Sequence, residues 1–108
     1  MNGGVDPKGP LRGIVAEFFF QNMEYFVYFL KSTAKNRFYI GYTIDLVKRL
    51  KEHNSGRTKS TKPYIPWEVF YSEKFSSRTD ACKREWYFKH PKGYLDKISI
   101  IRNHGGVA

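Results

Sequence analysis

The fold of this chain is decided by residues 25–43, which have the sequence YFVYFLKSTAKNRFYIGYT. Residues 25–30 are aromatic and β-branched, a composition that predicts a short buried strand. Residues 31–36 form a polar connection, and residues 38–43 predict the antiparallel partner strand of a β-hairpin. Gly41 would weaken that strand unless another group approaches its backbone closely, so it indicates a close contact at this position.

The residues after the hairpin predict a helix and a loop. Thr43 or Asp45 can cap a helix that runs to about Asn54 and that is closed by Gly56. Residues 57–66 are basic, rich in serine and threonine, and contain two prolines, which predicts a loop.

A third strand and two further helices complete the predicted domain. Residues 67–73 alternate enough to predict the strand, and residues 77–80 resemble a capping box that opens a helix ended by Pro91. A short closing helix is predicted from four apolar residues at helical spacing, which are Tyr94, Leu95, Ile98 and Ile101. The order β-β-α-β-α-α predicts an α+β domain, with helices packed on a three-stranded antiparallel sheet.

The composition excludes several classes of protein. A chain of 108 residues favours one domain, and 41% hydrophobic with 18% aromatic residues is too apolar for a disordered basic tail. Cys82 is the only cysteine, which excludes a disulfide scaffold and a cysteine-based zinc finger. No apolar run approaches the roughly 20 residues of a membrane helix, and the N-terminus has no signal pattern. We therefore expect a basic, cytoplasmic domain that does not associate with membranes.

The two ends of the chain differ from its middle. Residues 1–22 are irregular and rich in glycine and proline, and we expect a dispensable extension there. Within them, residues 16–20 predict a short strand or an apolar patch that packs back onto the domain. The working domain is expected to span residues 23–102, followed by a C-terminal tail of residues 103–108.

The positive charge of the chain is unevenly distributed. The net charge is +9, and residues 35–62 alone carry eight basic and two acidic side chains. Residues 73–92 add a net charge of +3, whereas residues 1–24 have a net charge of −1. A positive field concentrated in this way recruits polyanions such as nucleic acid, although an ordinary lysine-rich surface is the simpler alternative.

The second predicted helix carries an acid on an apolar face. Ala81, Cys82, Trp86 and Phe88 fall on one broad arc of a helical wheel, and Glu85 lies near its middle. An unpaired carboxylate in that position is costly, so it requires a partner. The partner is either a salt bridge, to Arg49 or a lysine, or a metal ion in a cleft.

The first predicted helix has two polar residues at the border of its apolar arc. Leu46, Val47 and Leu50 form the arc, and Arg49 and His53 are neighbours on one border because they are four residues apart. Both side chains could reach past the apolar contact to the edge of the sheet. Alternatively, their stems cover apolar surface while their polar heads stay in water.

Tyrosines in strands are usually packing residues, and Tyr28 and Tyr39 need no other role when each is taken alone. Together with the polar residues of the helices, however, they form a known pattern. The residues in order are Phe26-Val27-Tyr28, Tyr39-Ile40-Gly41, Arg49, His53 and Glu85. Over residues 24–101 this pattern resembles the GIY-YIG endonuclease family, most closely its small stand-alone bacterial members, related to the nuclease domain of the excision-repair endonuclease.

The resemblance implies a divalent-metal-dependent phosphodiesterase that acts on nucleic acid, most simply DNA, in repair or recombination. The catalytic residues it implies are Tyr28, Tyr39, Arg49, His53 and Glu85, with Glu85 as the metal ligand. Two departures stand out. Phe26 and Val27 replace the glycine and isoleucine of the first triplet, and Lys89 and His90 occupy the region where several members carry an asparagine.

The implied residues suit phosphodiester cleavage chemically. Glu85 suits a single Mg²⁺ or Mn²⁺ ion, because Mg²⁺ often binds through one or two carboxylates, substrate phosphate and waters. Arg49 can clamp phosphate oxygens in a forked geometry. Tyr28 or Tyr39 takes a proton from water, provided that nearby cations favour its phenolate, and His53 assists proton transfer or binds the backbone.

A basic track beside the site is expected to hold phosphates without reading bases. Its residues are Lys48, Lys51, Arg57, Lys59 and Lys62. The first alternative to an endonuclease is a nucleic-acid-binding module with little or no cleavage, awaiting a protein partner that supplies specificity. A structural interaction domain is a further alternative, but it would leave the basic loop and Glu85 unexplained.

Overall fold

The structure is a computed structural model that describes residues 22–104. Its regular elements in chain order are β1 (Tyr25–Ser32), β2 (Phe38–Thr43), α1 (Leu46–Asn54), β3 (Trp67–Phe75), α2 (Arg78–Phe88) and α3 (Tyr94–His104). Single turns of 3₁₀ helix lie at Lys62–Tyr64 and Pro91–Gly93. This order confirms the predicted α+β fold. The predictions for residues 1–21 and 105–108 lie outside the described residues.

The three strands form one antiparallel sheet in the order β2-β1-β3. Tyr28 in the central strand pairs with Gly41 of β2 and with Ser72 of β3. The β1–β3 register shifts between Phe29 and Leu30. The edge strand β2 pairs with β1 and packs against α2.

Alternation along β1 divides the apolar interior into two clusters, because successive side chains of a strand point to opposite faces. Val27 and Phe29 pack with Ala81 and Phe88 of α2. Tyr28 and Leu30 face the other way and pack against a second set of residues, which are Trp67, Tyr39, Leu46, Leu50, Tyr64 and Ile65. The sheet therefore has α1 on the face of Tyr28 and α2 on the face of Phe29.

The helices begin where the sequence indicates. The side chain of Asp45, rather than Thr43, accepts a hydrogen bond from the Lys48 amide and caps α1. Ser77 caps α2 in the same way through the amide of Asp80. Gly56 follows α1 with a φ of +84°, a conformation that glycine adopts without a side-chain clash. At the other end of the domain, α3 continues to His104, beyond the expected boundary at residue 102.

Two predictions about helix faces are wrong. Val47 is 67% exposed, because it is not among the residues of α1, such as Leu46, Leu50 and His53, that pack against the sheet. Trp86 is 54% exposed and lies about 140° around α2 from the buried Ala81. Both helices thus bury a stripe narrower than their apolar sequence arcs. No helix among residues 22–104 is long and apolar enough to cross a membrane.

Candidate active site

The centre of the candidate site is the contact between Tyr28 and Gly41, which are paired across β1 and β2. A Cβ atom on Gly41 would lie 2.7 Å from the Tyr28 hydroxyl oxygen and 2.9 Å from Cζ. Only glycine leaves room for the phenol ring at this point. The close approach predicted for Gly41 is therefore confirmed, and it directs the Tyr28 side chain across the edge strand.

A hydrogen-bonded chain runs from Tyr28 into the interior. The Tyr28 oxygen lies 3.1 Å from His53 Nε2, and His53 Nδ1 lies 3.0 Å from Thr61 Oγ1. The Thr61 hydroxyl in turn donates to the carbonyl of Thr58 at 3.2 Å. Because that carbonyl can only accept, Thr61 is left to accept from Nδ1–H, and the lone pair of Nε2 accepts from the Tyr28 hydroxyl.

Burial sets the protonation of the two rings. It lowers the pKa of His53 to about 4, and the charge of Arg49 acts in the same direction. It also raises the pKa of Tyr28 to about 12, although Arg49 partly opposes the shift. At neutral pH both rings are uncharged. Arg49 thus favours the phenolate, as expected of a nearby cation, but burial outweighs its effect in the free protein.

Arg49 extends from α1 to the side of the Tyr28 phenol. Its interaction with the Tyr28 oxygen raises the pKa of Arg49, so the guanidinium stays charged. Arg49 Nη1 also donates to Glu52 at 2.9 Å and lowers the pKa of that carboxyl. The Arg49 side chain is 32% exposed. It is therefore placed to contact both Tyr28 and a ligand arriving from solvent.

Tyr39 lies between these groups and α2. Its ring centre is 4.7 Å from that of His53 and 6.2 Å from that of Tyr28. On its other side, Lys89 Nζ lies 5.5 Å from the centre of the ring, within the range of a cation–π contact. Tyr39 therefore connects the interior of the site to the end of α2.

Lys89 links Glu85 to Tyr39, because its ammonium group contacts both side chains. Lys89 Nζ lies 3.2 Å from Glu85 Oε2, so the partner of this acid in the structure is a lysine rather than Arg49. An i,i+4 pair of this kind contributes only about 0.3–0.5 kcal/mol, which an arriving divalent cation can displace. The Glu85 side chain is 23% exposed, and its negative charge is a minor influence that raises the pKa of Tyr28.

The acid groups of the site set the kind of metal ion it could hold. No cluster of three or more His, Cys, Asp or Glu side chains arranged for a metal occurs among residues 22–104. An ion at Glu85 would therefore depend on water and substrate phosphate for its other ligands. This arrangement fits Mg²⁺, which keeps several waters and is often bound by one or two carboxylates and phosphate.

The predicted basic track is only partly gathered in one place. Lys48, Lys51 and Arg57 line one open cavity of about 280 Å³. A second cavity of about 280 Å³ shares Lys48 and extends to Arg49. Lys59 is exposed and is not among the lining residues of either cavity, and Lys62 packs beside Gly56. The first three residues thus form a basic surface that is continuous with Arg49.

Three residues of the site were not identified from the sequence. Thr61 orients His53, Glu52 pairs with Arg49, and Lys89 connects Glu85 to Tyr39. The spacing of Glu52 and Lys89 from their partners, three and four residues along a helix, was a usable signal. Thr61 lies in an irregular loop, where periodicity predicts no neighbour.

Comparison with known proteins identifies the family of this chain. Residues 24–96 match the family model described as the GIY-YIG catalytic domain. The chain therefore belongs to the GIY-YIG family, a nuclease-type family, which confirms the resemblance found in the sequence.

Several bacterial proteins are similar to this chain in sequence. The chain is 43% identical over 81 residues to "UPF0213 protein YsiG" of Lactococcus lactis subsp. lactis, an alignment that covers 74% of this chain and 77% of that protein. It is 44% identical over 66 residues to "UPF0213 protein YazA" of Bacillus subtilis, covering 60% and 66% respectively. The solution NMR structure of the UPF0213 protein BH0048 from Bacillus halodurans is 28% identical, with a TM-score of 0.48 over 78% of this chain and 89% of that one.

Proposed function

We propose that this protein is a metal-dependent endonuclease that hydrolyses phosphodiester bonds in DNA. The observation that carries the proposal is the hydrogen bond from the Tyr28 hydroxyl to Nε2 of a neutral, buried His53, beside a charged Arg49. A phenol with an adjacent proton acceptor and a guanidinium suits the activation of water next to a phosphate.

Of the two tyrosines, Tyr28 has the better position to act as the base. As the water oxygen forms its bond to phosphorus, the Tyr28 oxygen takes the proton of that water. The proton that Tyr28 carried passes to His53 Nε2, while His53 Nδ1–H keeps its hydrogen bond to Thr61. The bond from phosphorus to the leaving oxygen breaks, and that oxygen takes a proton from solvent. Because the pKa of the buried imidazole is about 4, His53 holds this proton only transiently and returns it through the Tyr28 oxygen.

Arg49 stabilises the phosphate as negative charge grows on its oxygens. The guanidinium is permanently charged, and its fork can donate two parallel hydrogen bonds to a phosphate. Since Glu52 already accepts from one of its nitrogens, the plane of the guanidinium is held in position before substrate arrives. An oriented donor avoids the cost of reorganisation during the reaction.

Glu85 is proposed to hold one divalent ion, Mg²⁺ or Mn²⁺. A bound ion of this kind supplies positive charge at the phosphate oxygens. The ion would have to displace Lys89, whose ammonium group forms an ion pair with the Glu85 carboxylate. The Lys89 side chain is 42% exposed, so it can turn toward solvent or toward a substrate phosphate.

The rest of the proposal concerns substrate and location. The basic surface of Lys48, Lys51 and Arg57, with Lys59 and Lys62 nearby, would hold phosphates along the DNA independently of sequence. We propose a cytoplasmic role in repair or recombination. The alternative is a nucleic-acid-binding module that does not cleave, and the ion pair of Glu85 with Lys89 is the observation that favours it.

The test is incubation of the purified chain with plasmid and branched DNA in the presence of Mg²⁺ or Mn²⁺. Wild type should cleave, whereas Glu85→Gln and Arg49→Ala should not. Glu68→Gln, an exposed acid on β3, is the matched control and should cleave like wild type. Salt-sensitive binding without cleavage by wild type would support the alternative. Equal cleavage by Glu85→Gln would overturn the assignment of the acid.

A further inference from the structure

A second surface, away from the basic track, combines exposed aromatic rings with lysines. It lies where α2 passes into α3 and consists of Trp86, Lys89, His90, Tyr94 and Lys97, which we call the α2–α3 surface. Trp86 is 54% exposed and Tyr94 is 53% exposed. Exposed aromatic rings with cations close by can bind flat or anionic ligands.

The surface contains a shaped cavity. An opening of about 420 Å³ is lined by Lys89, His90, Pro91, Tyr94 and Lys97. This volume lies within the range of sites for small organic groups, about 300–1,000 Å³. It has room for one planar ring together with the charged group attached to it.

His90, one of the residues that line the cavity, is held in place by Trp86. Trp86 and His90 stack with their centres 3.9 Å apart and their planes inclined by 16°. His90 Nδ1 lies 2.6 Å from the Trp86 carbonyl oxygen, and as a donor to it fixes the orientation of the imidazole. His90 covers one face of the Trp86 ring, and the part of Trp86 that stays exposed can contact another flat group. A preorganised stack loses little entropy when a ligand ring joins it.

The charges around the cavity favour an anionic ligand. Lys89 and Lys97 line it, and Lys97 Nζ lies 5.6 Å from the centre of the Tyr94 ring. Glu85 pairs with Lys89, and Asp96 accepts from the hydroxyl of Tyr87, so Lys97 is the lysine of the cavity left to attract an anion. The surface therefore presents cations and aromatic faces together.

Lys89 joins this surface to the candidate active site. Its ammonium contacts Glu85 and the ring of Tyr39, and the same side chain forms one wall of the cavity. A strand whose phosphate lies at Tyr28 and Tyr39 can thus continue over Lys89 into the cavity.

We propose that the α2–α3 surface binds an unpaired nucleobase of the substrate strand, stacked on Trp86 or Tyr94, with its phosphate on Lys89 or Lys97. The inference rests on the proposed function for its substrate class. Stacking on aromatic rings accepts every base, because every base has a π face, and lysines supply the sequence-independent attraction. The surface therefore favours DNA in which bases next to the scissile phosphate are unpaired.

Tryptophan fluorescence tests the proposal directly, without cleavage and without metal. The chain has two tryptophans, and Trp67 is only 4% exposed, so a ligand at the surface acts on Trp86 alone. A thymidine oligonucleotide of about ten residues should quench Trp86 emission. Polyglutamate of matched charge should leave it unchanged. Equal quenching by polyglutamate, or none by the oligonucleotide, would overturn the proposal.

Variants measure the contribution of each ring to binding of the labelled oligonucleotide. Trp86→Ala and Tyr94→Ala should each weaken binding about tenfold. Leu95→Ala, which alters an 80% exposed side chain beside Tyr94, is the matched control and should bind within about twofold of wild type. A blunt duplex should bind all four proteins alike through the basic track.

Two further outcomes separate this proposal from others. Wild-type affinity in both aromatic variants would overturn it even if the protein cleaves DNA. If the protein binds the oligonucleotide by stacking but never cleaves DNA, the proposal for the α2–α3 surface holds and the endonuclease proposal fails. If sedimentation shows that wild type is a dimer and Trp86→Ala a monomer, a second copy of this chain covers the surface and the proposal is wrong.

Discussion

The Tyr28 hydroxyl donates to His53 Nε2 at 3.1 Å, and this bond joins the central strand to the end of α1 in the interior of the protein. Both partners are almost completely buried, with Tyr28 at 1% and His53 at 0% exposure. In a medium of low polarity the bond serves two purposes. It satisfies two polar groups that would otherwise be costly to bury, and it gives the phenol a proton acceptor.

Replacing each tyrosine with phenylalanine should identify the base. Tyr28→Phe removes the hydroxyl that contacts His53, and cleavage should fall by about 10²- to 10⁴-fold, the usual contribution of a general base. Tyr39→Phe retains the ring beside His53 and Lys89, so its loss of rate should be smaller. Single-turnover cleavage of one labelled oligonucleotide provides the comparison. A larger loss for Tyr39→Phe would assign the base to Tyr39.

The stability of the protein should decrease in mild acid because of His53. Its pKa is about 4 in the folded state against 6.5 in the unfolded state, so only the unfolded chain takes up this proton between those values. Stability is therefore fully present above pH 6.5 and falls as the pH drops toward 4, by up to about 1.4 kcal/mol per pH unit. Urea unfolding at a series of pH values measures the slope.

The matched variant for that experiment is His53→Gln, which keeps a polar side chain and does not titrate. Its free energy of unfolding should be lower than that of wild type at neutral pH and should change less between pH 6.5 and 4. His104→Gln, at the exposed end of α3, should keep the slope of wild type. An unchanged slope in His53→Gln would show that another group is responsible.

Gly41→Ala should destabilise the fold, because the methyl group it adds would clash with the Tyr28 ring. The new methyl group would lie 2.7 Å from the Tyr28 oxygen, so the ring or the edge strand must move. Overpacking of this kind costs about 1–3 kcal/mol. A double-mutant cycle with Tyr28→Phe, measured by chemical denaturation, should show coupling, because the closest atom of the clash is the hydroxyl that Tyr28→Phe removes. Strictly additive effects would contradict the contact.

Asn54 should contribute to the stability of the fold. Its side chain bridges the start of β3, because Oδ1 accepts from the Trp67 amide at 2.6 Å and Nδ2 donates to the Trp67 carbonyl at 2.9 Å. Asn54→Ala leaves both backbone groups without this partner and should cost about 1–3 kcal/mol. Asn36→Ala, in the exposed hairpin loop, should cost much less in the same thermal or urea melt.

The basic surface should be visible in the salt dependence of DNA binding. Lys51→Ala removes one of the cations that line the cavity on α1, so it should weaken binding to all sequences alike and reduce the slope of log K against log salt by about 1. Lys83→Ala, on an exposed position of α2, should leave the slope unchanged. The same loss for both variants would mean that charge alone, and not this surface, governs binding.

Much of the fold followed from local patterns. The hairpin, the caps at Asp45 and Ser77 and the order of elements are consequences of side-chain alternation and of short-range hydrogen bonds, which neighbouring residues decide among themselves. The width of the buried helix faces was not predictable in this way. Val47 and Trp86 fall on the apolar arcs predicted for their helices, but both side chains are exposed because each helix buries a narrower stripe.

The sequence alone determined which chemical groups this protein has and in which order, together with the glycine that a close contact requires. Only the tertiary structure decided that Thr61 orients His53 and that Lys89 forms an ion pair with Glu85. It also decided that burial, rather than nearby charge, governs the pKa of Tyr28. The physical reason is that burial and hydrogen-bond partners depend on residues distant in sequence. Their distances arise when strands and helices pack, and no local pattern records them.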